Sequence, residues 1–165
     1  MPCALVVGRV DAQRKQRRET KAARERLKTR SDFLKEAQQA FNAYIRERDA
    51  DKPCISSGKT SLRDPLTGGA WDCGHYRSIG SCPELRFCEL NAHKQTKRDN
   101  RQLSGNVVEY RKGLIERIGL ENVEWLEGPH RARKYTADDL KEIRDHYRRK
   151  TRELLRKHAQ VGLTG

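Results

Sequence analysis

Apolar residues recur at three- and four-residue spacing in three stretches of this chain and nearly vanish from a fourth. Phe33, Ala37, Ala40, Phe41 and Tyr44 fall on one helical face. Ser31 is the expected N-cap of that helix, with Asp32 favourable in its first turn. Asp51-Lys52-Pro53 closes it, because the residue before proline avoids the helical region. From Asn106 the period returns, with Val107, Tyr110, Leu114 and Ile118 on one face and Gly119 as the stop. A short helix over 121–127 buries Val123 and Leu126 ahead of Gly128-Pro129. Thr136 and Asp139 have capping-box spacing and open a long helix carrying Leu140, Ile143, Tyr147 and Leu154. Residues 11–30 are rich in helix formers but almost bare of large apolar side chains. Such a segment is helical when docked on phosphates and marginal alone.

Between 54 and 90 the periodicity breaks. Glycine, proline and serine cluster there, 71–77 and 85–88 read as short strands, and Gly68-Gly69 reads as a turn. The fold class is therefore α+β and mostly helical, with a small irregular core flanked by long helices.

Charge sharpens the picture. Charged residues make up 36% of the 165 residues and hydrophobic ones 35%, so a large core is excluded. Residues 11–30 hold nine Lys/Arg against three Asp/Glu, and residues 131–158 hold eleven against five. The hundred residues between them, 31–130, hold fifteen of each and cancel, leaving the formal net charge of +13 at the two ends. A neutral body with two basic ends points to nucleic acid and away from an acidic or membrane-embedded function. The chain divides into a basic arm over 1–30, a body over 31–130 and a basic helix over 131–165.

No apolar run approaches the ~20 residues needed to span a bilayer, and the stretch from Cys3 to Val7 is too short for a secretory h-region. Five cysteines (Cys3, Cys54, Cys73, Cys82 and Cys88) then read as thiols or metal ligands in a cytoplasmic chain, not as a disulfide frame.

Three polar groups lie in the irregular region: Cys54 to Ser57, Gly74-His75-Tyr76-Arg77, and Asn91 to Asn100. A histidine ending a short strand, an asparagine some fifteen residues on and a polar ligand at a helix start form the ββα-metal, or HNH-like, plan. Here these are His75, Asn91 and Asn100. Phosphodiester hydrolysis needs a base that titrates near neutrality, which histidine does. It also needs a hard divalent cation, Mg²⁺ or Mn²⁺, to offset charge at the phosphate. The expected roles are His75 as general base and Asn91 as the residue that holds the loop and orients the imidazole. Asp72, His93 and Asn100 are the candidate metal ligands, with Gly74 standing where many HNH sites have an acid. Arg77, Lys94, Lys97, Arg98 and Arg101 would line a phosphate path. Arg14, Lys15, Arg17 and Arg18 at one end, and Arg148, Arg149 and Lys150 at the other, would hold flanking DNA.

The segments WDCGHYRS (71–78), PELRF (83–87), NAHKQ (91–95), SGNVVEYRKGLIERIG (104–119) and EGPH (127–130) resemble the phage lambda NinG family, also called Rap. The resemblance runs from about Arg30 to Arg156. It implies a phage recombination protein, a structure-specific endonuclease for branched DNA such as D-loops and Holliday junctions, working in the bacterial host cytoplasm beside phage or host recombination proteins. The family carries CxxC pairs at the positions of Cys54 and Ser57 and of Thr96 and Asp99, which implies a Cys₄ zinc site. Only Cys54 remains here, and one thiolate with one carboxylate is a poor tetrahedral zinc set. Two other readings stay open: a non-catalytic DNA-binding remnant, and a basic RNA-binding protein, against which stands the lack of a visible aromatic stacking platform.

Overall fold

A computed structural model describes residues 4–60 and 71–161 of the chain. The expected Gly68-Gly69 turn lies outside the described residues. Among the described residues, five α-helices and one hairpin make up the architecture, joined by short 3₁₀ and π turns: α1 (Ala4–Arg26), α2 (Arg30–Arg48), β1 (Trp71–His75), β2 (Ala92–Thr96), α3 (Val107–Ile118), α4 (Leu120–Glu127) and α5 (Ala137–Val161). The α+β, mostly helical class holds. No helix among the described residues is long and apolar enough to cross a membrane.

The cap of α2 is Thr29, not Ser31. A capping box needs an acid or amide three residues after the cap; Thr29 finds Asp32 there, whereas Ser31 would find Leu34. Asp32 Oδ2 accepts from the Thr29 backbone N–H at 2.9 Å, and the Thr29 hydroxyl accepts from the Asp32 N–H at 3.3 Å. α2 ends at Arg48, several residues ahead of Pro53. The box at the head of α5 is as the sequence predicts, with Thr136 and Asp139 bonded both ways at 2.8 and 3.1 Å.

The second strand is not 85–88. Pro83, with fixed φ and no N–H, starts a 3₁₀ turn over Pro83–Leu85, and Cys88 N–H closes a further turn on the Leu85 carbonyl at 3.1 Å. β1 pairs instead with Ala92–Thr96, antiparallel, with Trp71 opposite Thr96 and His75 opposite Ala92. β2 reads as polar, yet all five of its residues are buried because helices cover both faces of the hairpin. On one face Cys73 and Ala92 join Phe41, Tyr44, Ile45 and Tyr147 from α2 and α5. Beyond the other lie Ile55, Tyr76, Leu85, Tyr110, Leu114, Val123 and Leu126, the core that α3 and α4 close. Full burial of such a side chain contributes about 1.5–3 kcal/mol.

α2 and α5 run side by side in the same direction. Phe33 and Leu140 share one cluster, the Tyr44 and Tyr147 rings are 5.2 Å apart, and Glu47 meets His158 at 2.7 Å. Half of the C-terminal basic segment is thus built into the body. α1 differs: its residues from Arg9 to Arg24 are all exposed. Its end is tied to α5 where Glu25 meets Arg144 at 2.6 Å.

Candidate functional site

His75 ends β1 on the α2 side of the hairpin, its ring 5.8 Å from that of Phe41. Its Nε2 lies 3.0 Å from the Arg86 carbonyl, which can only accept, so Nε2 carries the proton and Nδ1 keeps the basic lone pair. Burial pulls its pKa below the ordinary histidine value, outweighing the hydrogen bond to Arg86, so the ring is neutral near pH 7. That is the protonation state a general base requires.

Asn91 is fully buried and spends its amide on backbone. Its Oδ1 accepts from the Arg77 N–H at 2.8 Å, and its Nδ2 donates to the carbonyls of Arg77 at 3.0 Å and Leu85 at 3.2 Å. It therefore pins the loop between the strands. The imidazole's own partner is the Arg86 carbonyl at the far end of that loop, so Asn91 sets the ring only through the backbone it holds.

The register separates the other candidates from His75. Residues opposite each other in an antiparallel pair share a face, so Asp72, Gly74, His93 and Gln95 lie on the face opposite His75. Asp72 meets the turn after β2: its Oδ2 accepts from Asn100 Nδ2 at 3.1 Å, and Arg101 grips both of its oxygens at 2.7 and 3.1 Å. His93 is 2% exposed, with Nδ1 3.4 Å from the Tyr110 hydroxyl, which itself donates to the Gly74 carbonyl at 2.9 Å. Burial lowers the His93 pKa to about 3. Gln95 fills the space over Gly74: a Cβ added there would stand 2.1 Å from Gln95 Oε1, so an acid at this position has no room.

Cys54 lies elsewhere, in a hydrogen-bonded knuckle. Its thiol donates to Asp99 Oδ2 at 3.5 Å, and its sulfur accepts from the Thr96 N–H at 3.3 Å. The Thr96 hydroxyl donates to the same Asp99 oxygen at 2.6 Å, while Asn106 Nδ2 donates to Oδ1 at 3.2 Å and Ser57 adds its hydroxyl. Burial raises the Asp99 pKa, but these donors outweigh it and hold the carboxyl below the usual range. Cys54, Ser57, Thr96 and Asp99 thus converge on one point, gathered by hydrogen bonds around a single anion. Cys73 and Cys82 belong to different core clusters, and burial pushes the Cys73 thiol up to about 12.

Asp72 and Asn100 are the only two metal candidates brought together. One carboxylate, one amide oxygen after a flip, phosphate oxygens and water are a donor set that Mg²⁺ accepts, provided Arg101 lets go. His93 and Cys54 do not join that pair. Among the described residues no group of three or more His, Cys, Asp or Glu is placed to hold a metal ion.

The cations divide as well. Lys94 is 3% exposed, with Nζ donating to the Ala50 carbonyl at 2.8 Å and lying 4.6 Å from the Trp71 ring centroid. Lys150 meets Glu89 at 2.6 Å over the Tyr44 ring. Both are turned inward. Arg98 is exposed, Lys97 and Arg77 are half-buried, and Arg101 is exposed but paired with Asp72. Arg14 and Lys15 are exposed, in loose pairs with Asp11 and Glu19. Arg17 and Arg18 join Lys21, Arg24 and, from α5, Arg148 along a groove of about 1090 Å³ between α1 and α5. Arg149 is exposed on α5.

Two features escape a sequence reading. Gln95 organises the hairpin's polar face without belonging to any base-and-metal pattern, whereas Asp99, marked by its CxxC spacing from Thr96, serves as a hydrogen-bonded anion. Trp125 stands half exposed on α4 among Glu121, Asn122 and Glu124, an indole where the helical pattern asks for no apolar residue.

The model of the family described as Bacteriophage Lambda NinG protein matches residues 7–157. The chain is 48% identical over 128 residues to "Protein ninG" of Salmonella phage P22 and to that of Escherichia phage lambda, and 47% identical to that of Escherichia phage 933W. Each alignment covers 78% of this chain, and the chain spans about three fifths of the length of these relatives. No solved structure matches it. With most of its length under one family model and nearly half of its aligned residues identical to phage relatives, this chain belongs to the bacteriophage lambda NinG family.

Proposed function

We propose that this chain is a phage recombination protein that binds branched or single-stranded DNA, holding phosphates between α1 and α5. The observation that carries the reading is the groove in which Arg17, Arg18, Lys21 and Arg24 of α1 face Arg148 of α5. These side chains are exposed, and a polyanion entering the groove releases its condensed counterions, the term that dominates phosphate-backbone affinity. Deleting residues 1–24 tests it, because the Glu25–Arg144 tie and the core stay intact. If four arm cations each meet a duplex phosphate, the slope of log K against log salt flattens by about three to four. An unchanged slope and affinity would leave α1 a solvated helix.

A second reading, structure-specific cleavage of the NinG/Rap kind, is favoured by His75, a neutral imidazole with one nitrogen anchored and the other basic. Mg²⁺ or Mn²⁺ would supply charge neutralisation at the scissile phosphate, with Asp72 and Asn100 as its holders. Base and carboxylate stand on opposite faces of the hairpin, an arrangement that favours a binder without cleavage. A junction-cleavage assay with and without Mg²⁺ decides: a nuclease loses about 10²–10⁴ in rate on His75→Ala while binding stays level. No cleavage by either protein leaves the DNA-binding reading alone.

A further inference from the structure

A groove of about 870 Å³ opens where α4, the 84–88 turns, the 128–136 connection and the start of α5 meet, sharing Asp145 with the α1–α5 groove. Trp125 is 51% exposed at its wall, and its ring stands 4.7 Å from that of His130, which ends the EGPH segment. His146 adds a further exposed ring, while Tyr135 is buried beneath the groove with the Arg133 guanidinium stacked 4.7 Å from its ring centroid. Such a collection of ring faces is what the sequence reading did not find.

Cations lead out of it. Arg149 lines both this groove and a smaller one shared with Arg152 and Arg156, and spacing of three and four puts the three on one face of α5. Acids are fewer than cations along this track but not absent from it. Glu153 lines the smaller groove beside three arginines, Asp145 is paired with Arg144 at 2.8 Å, and Glu84 and Glu142 on the wall of the larger groove repel a phosphate. A nucleotide strand is therefore drawn with its bases toward the rings and its backbone along Arg149, Arg152 and Arg156. Base–aromatic stacking is tolerant of sequence because every base has a π-face, and interleaved arginines fix the backbone.

We propose that this groove binds the unpaired bases of single-stranded DNA, the strand exposed at a branch, while the α1–α5 groove holds phosphates. The inference deepens the DNA-binding reading and rests on it. Its test uses the full chain with a labelled oligothymidylate, a blunt duplex and an oligouridylate at one salt concentration. Trp125→Ala weakens oligothymidylate binding about tenfold and leaves duplex binding within twofold. Because Trp125 is half exposed, the variant should fold, and circular dichroism checks that it does. In a Trp71→Phe background, Trp125 fluorescence is quenched by the oligothymidylate. Arg152→Glu weakens the oligothymidylate as well. If Trp125→Ala binds it as well as the parent and Trp125 is not quenched, while duplex binding persists, the groove assignment is overturned alone. If neither duplex nor oligothymidylate binds, the DNA-binding reading falls with it. If the oligouridylate binds ten times tighter than the oligothymidylate, the ligand is RNA and the proposal is wrong.

Discussion

The two faces of one hairpin, built from two five-residue strands, are held by opposite means. Toward α2 and α5 the hairpin offers Cys73, Ala92 and the His75 ring to Phe41 and Tyr147, an apolar patch with Lys94 beside it reaching out to the Ala50 carbonyl. Toward α3 it offers Asp72, His93 and Gln95, and the packing is a run of hydrogen bonds that continues past the end of β2 into the Asp99 knuckle. The apolar face tolerates only loss of volume poorly; the polar face depends on every donor finding its acceptor, since a buried unpaired group costs about 1–3 kcal/mol. A histidine on the first face is tuned by burial and one carbonyl, while a carboxylate on the second is tuned by the number of donors it collects.

The largest effect expected from this contrast lies at the knuckle. Ser57→Cys, Thr96→Cys and Asp99→Cys together turn a hydrogen-bonded cluster into four thiols at converging positions. Structural zinc contributes on the order of 10 kcal/mol in finger peptides, so elemental analysis should find close to one zinc per chain and the melting temperature should rise. In chelator the same variant should melt below the parent, because it has lost the Asp99 anion and its donors. The unaltered chain should purify with far less than one zinc. Stoichiometric zinc in it would mean that hydrogen bonds alone do not hold this face.

Next comes the apolar face. Phe41→Ala should cost about 3–5 kcal/mol in denaturant unfolding, since its fully buried ring touches His75, Phe87 and Tyr147. A loss near 1 kcal/mol would show that the two faces are less different than their composition.

His93 gives the polar face a pH dependence. Its folded pKa, lowered to about 3, lies below the ordinary histidine value, so the unfolded chain takes up a proton that the folded chain refuses. The resulting stability is present above pH ~6.5 and is lost as pH falls from there toward 3. His93→Gln should remove about one proton from the linkage measured by unfolding between pH 4 and 7. His75, also lowered by burial, adds to the slope in the same direction, and His75→Gln serves as the comparison.

The smallest effect concerns Asp72. Its pair with Arg101 is 65% exposed on the arginine side, so Asp72→Asn should change stability by less than about 1 kcal/mol. By freeing Arg101 it should tighten DNA binding slightly at low salt, a shift that titrations at two salt concentrations resolve.

Much of this was legible in the sequence for identifiable reasons. The cores of α2, α3 and α4 follow apolar period, except that Val107 at the head of α3 stays exposed, and the α5 cap follows Thr136 and Asp139, all signals that lie within a few residues. β2 did not show itself, because Ala92–Thr96 is polar by composition and is buried only by helices distant in sequence. The division of His75 from Asp72 and His93 also stayed hidden, since it depends on pairing register, and one residue of slip would reverse every face. Charge counting found both basic ends but not that Lys150 and Arg144 are spent inside the body, where their partners Glu89, Glu25 and Glu36 come from other elements.

The parallel alignment of α2 with α5 has a consequence for how the protein is born. Phe33 waits for Leu140 and Tyr44 waits for Tyr147, partners about a hundred residues later in synthesis. Until the ribosome has released most of the chain, the aromatic face that α2 turns to α5 stays uncovered, although α2 and α3 can already close on the hairpin. Contacts of such long sequence separation close late and slowly. The last helix is therefore the keystone of biogenesis: a nascent chain stopped before Leu140 presents sticky surface to chaperones and to its own copies, whatever the quality of the hairpin already made.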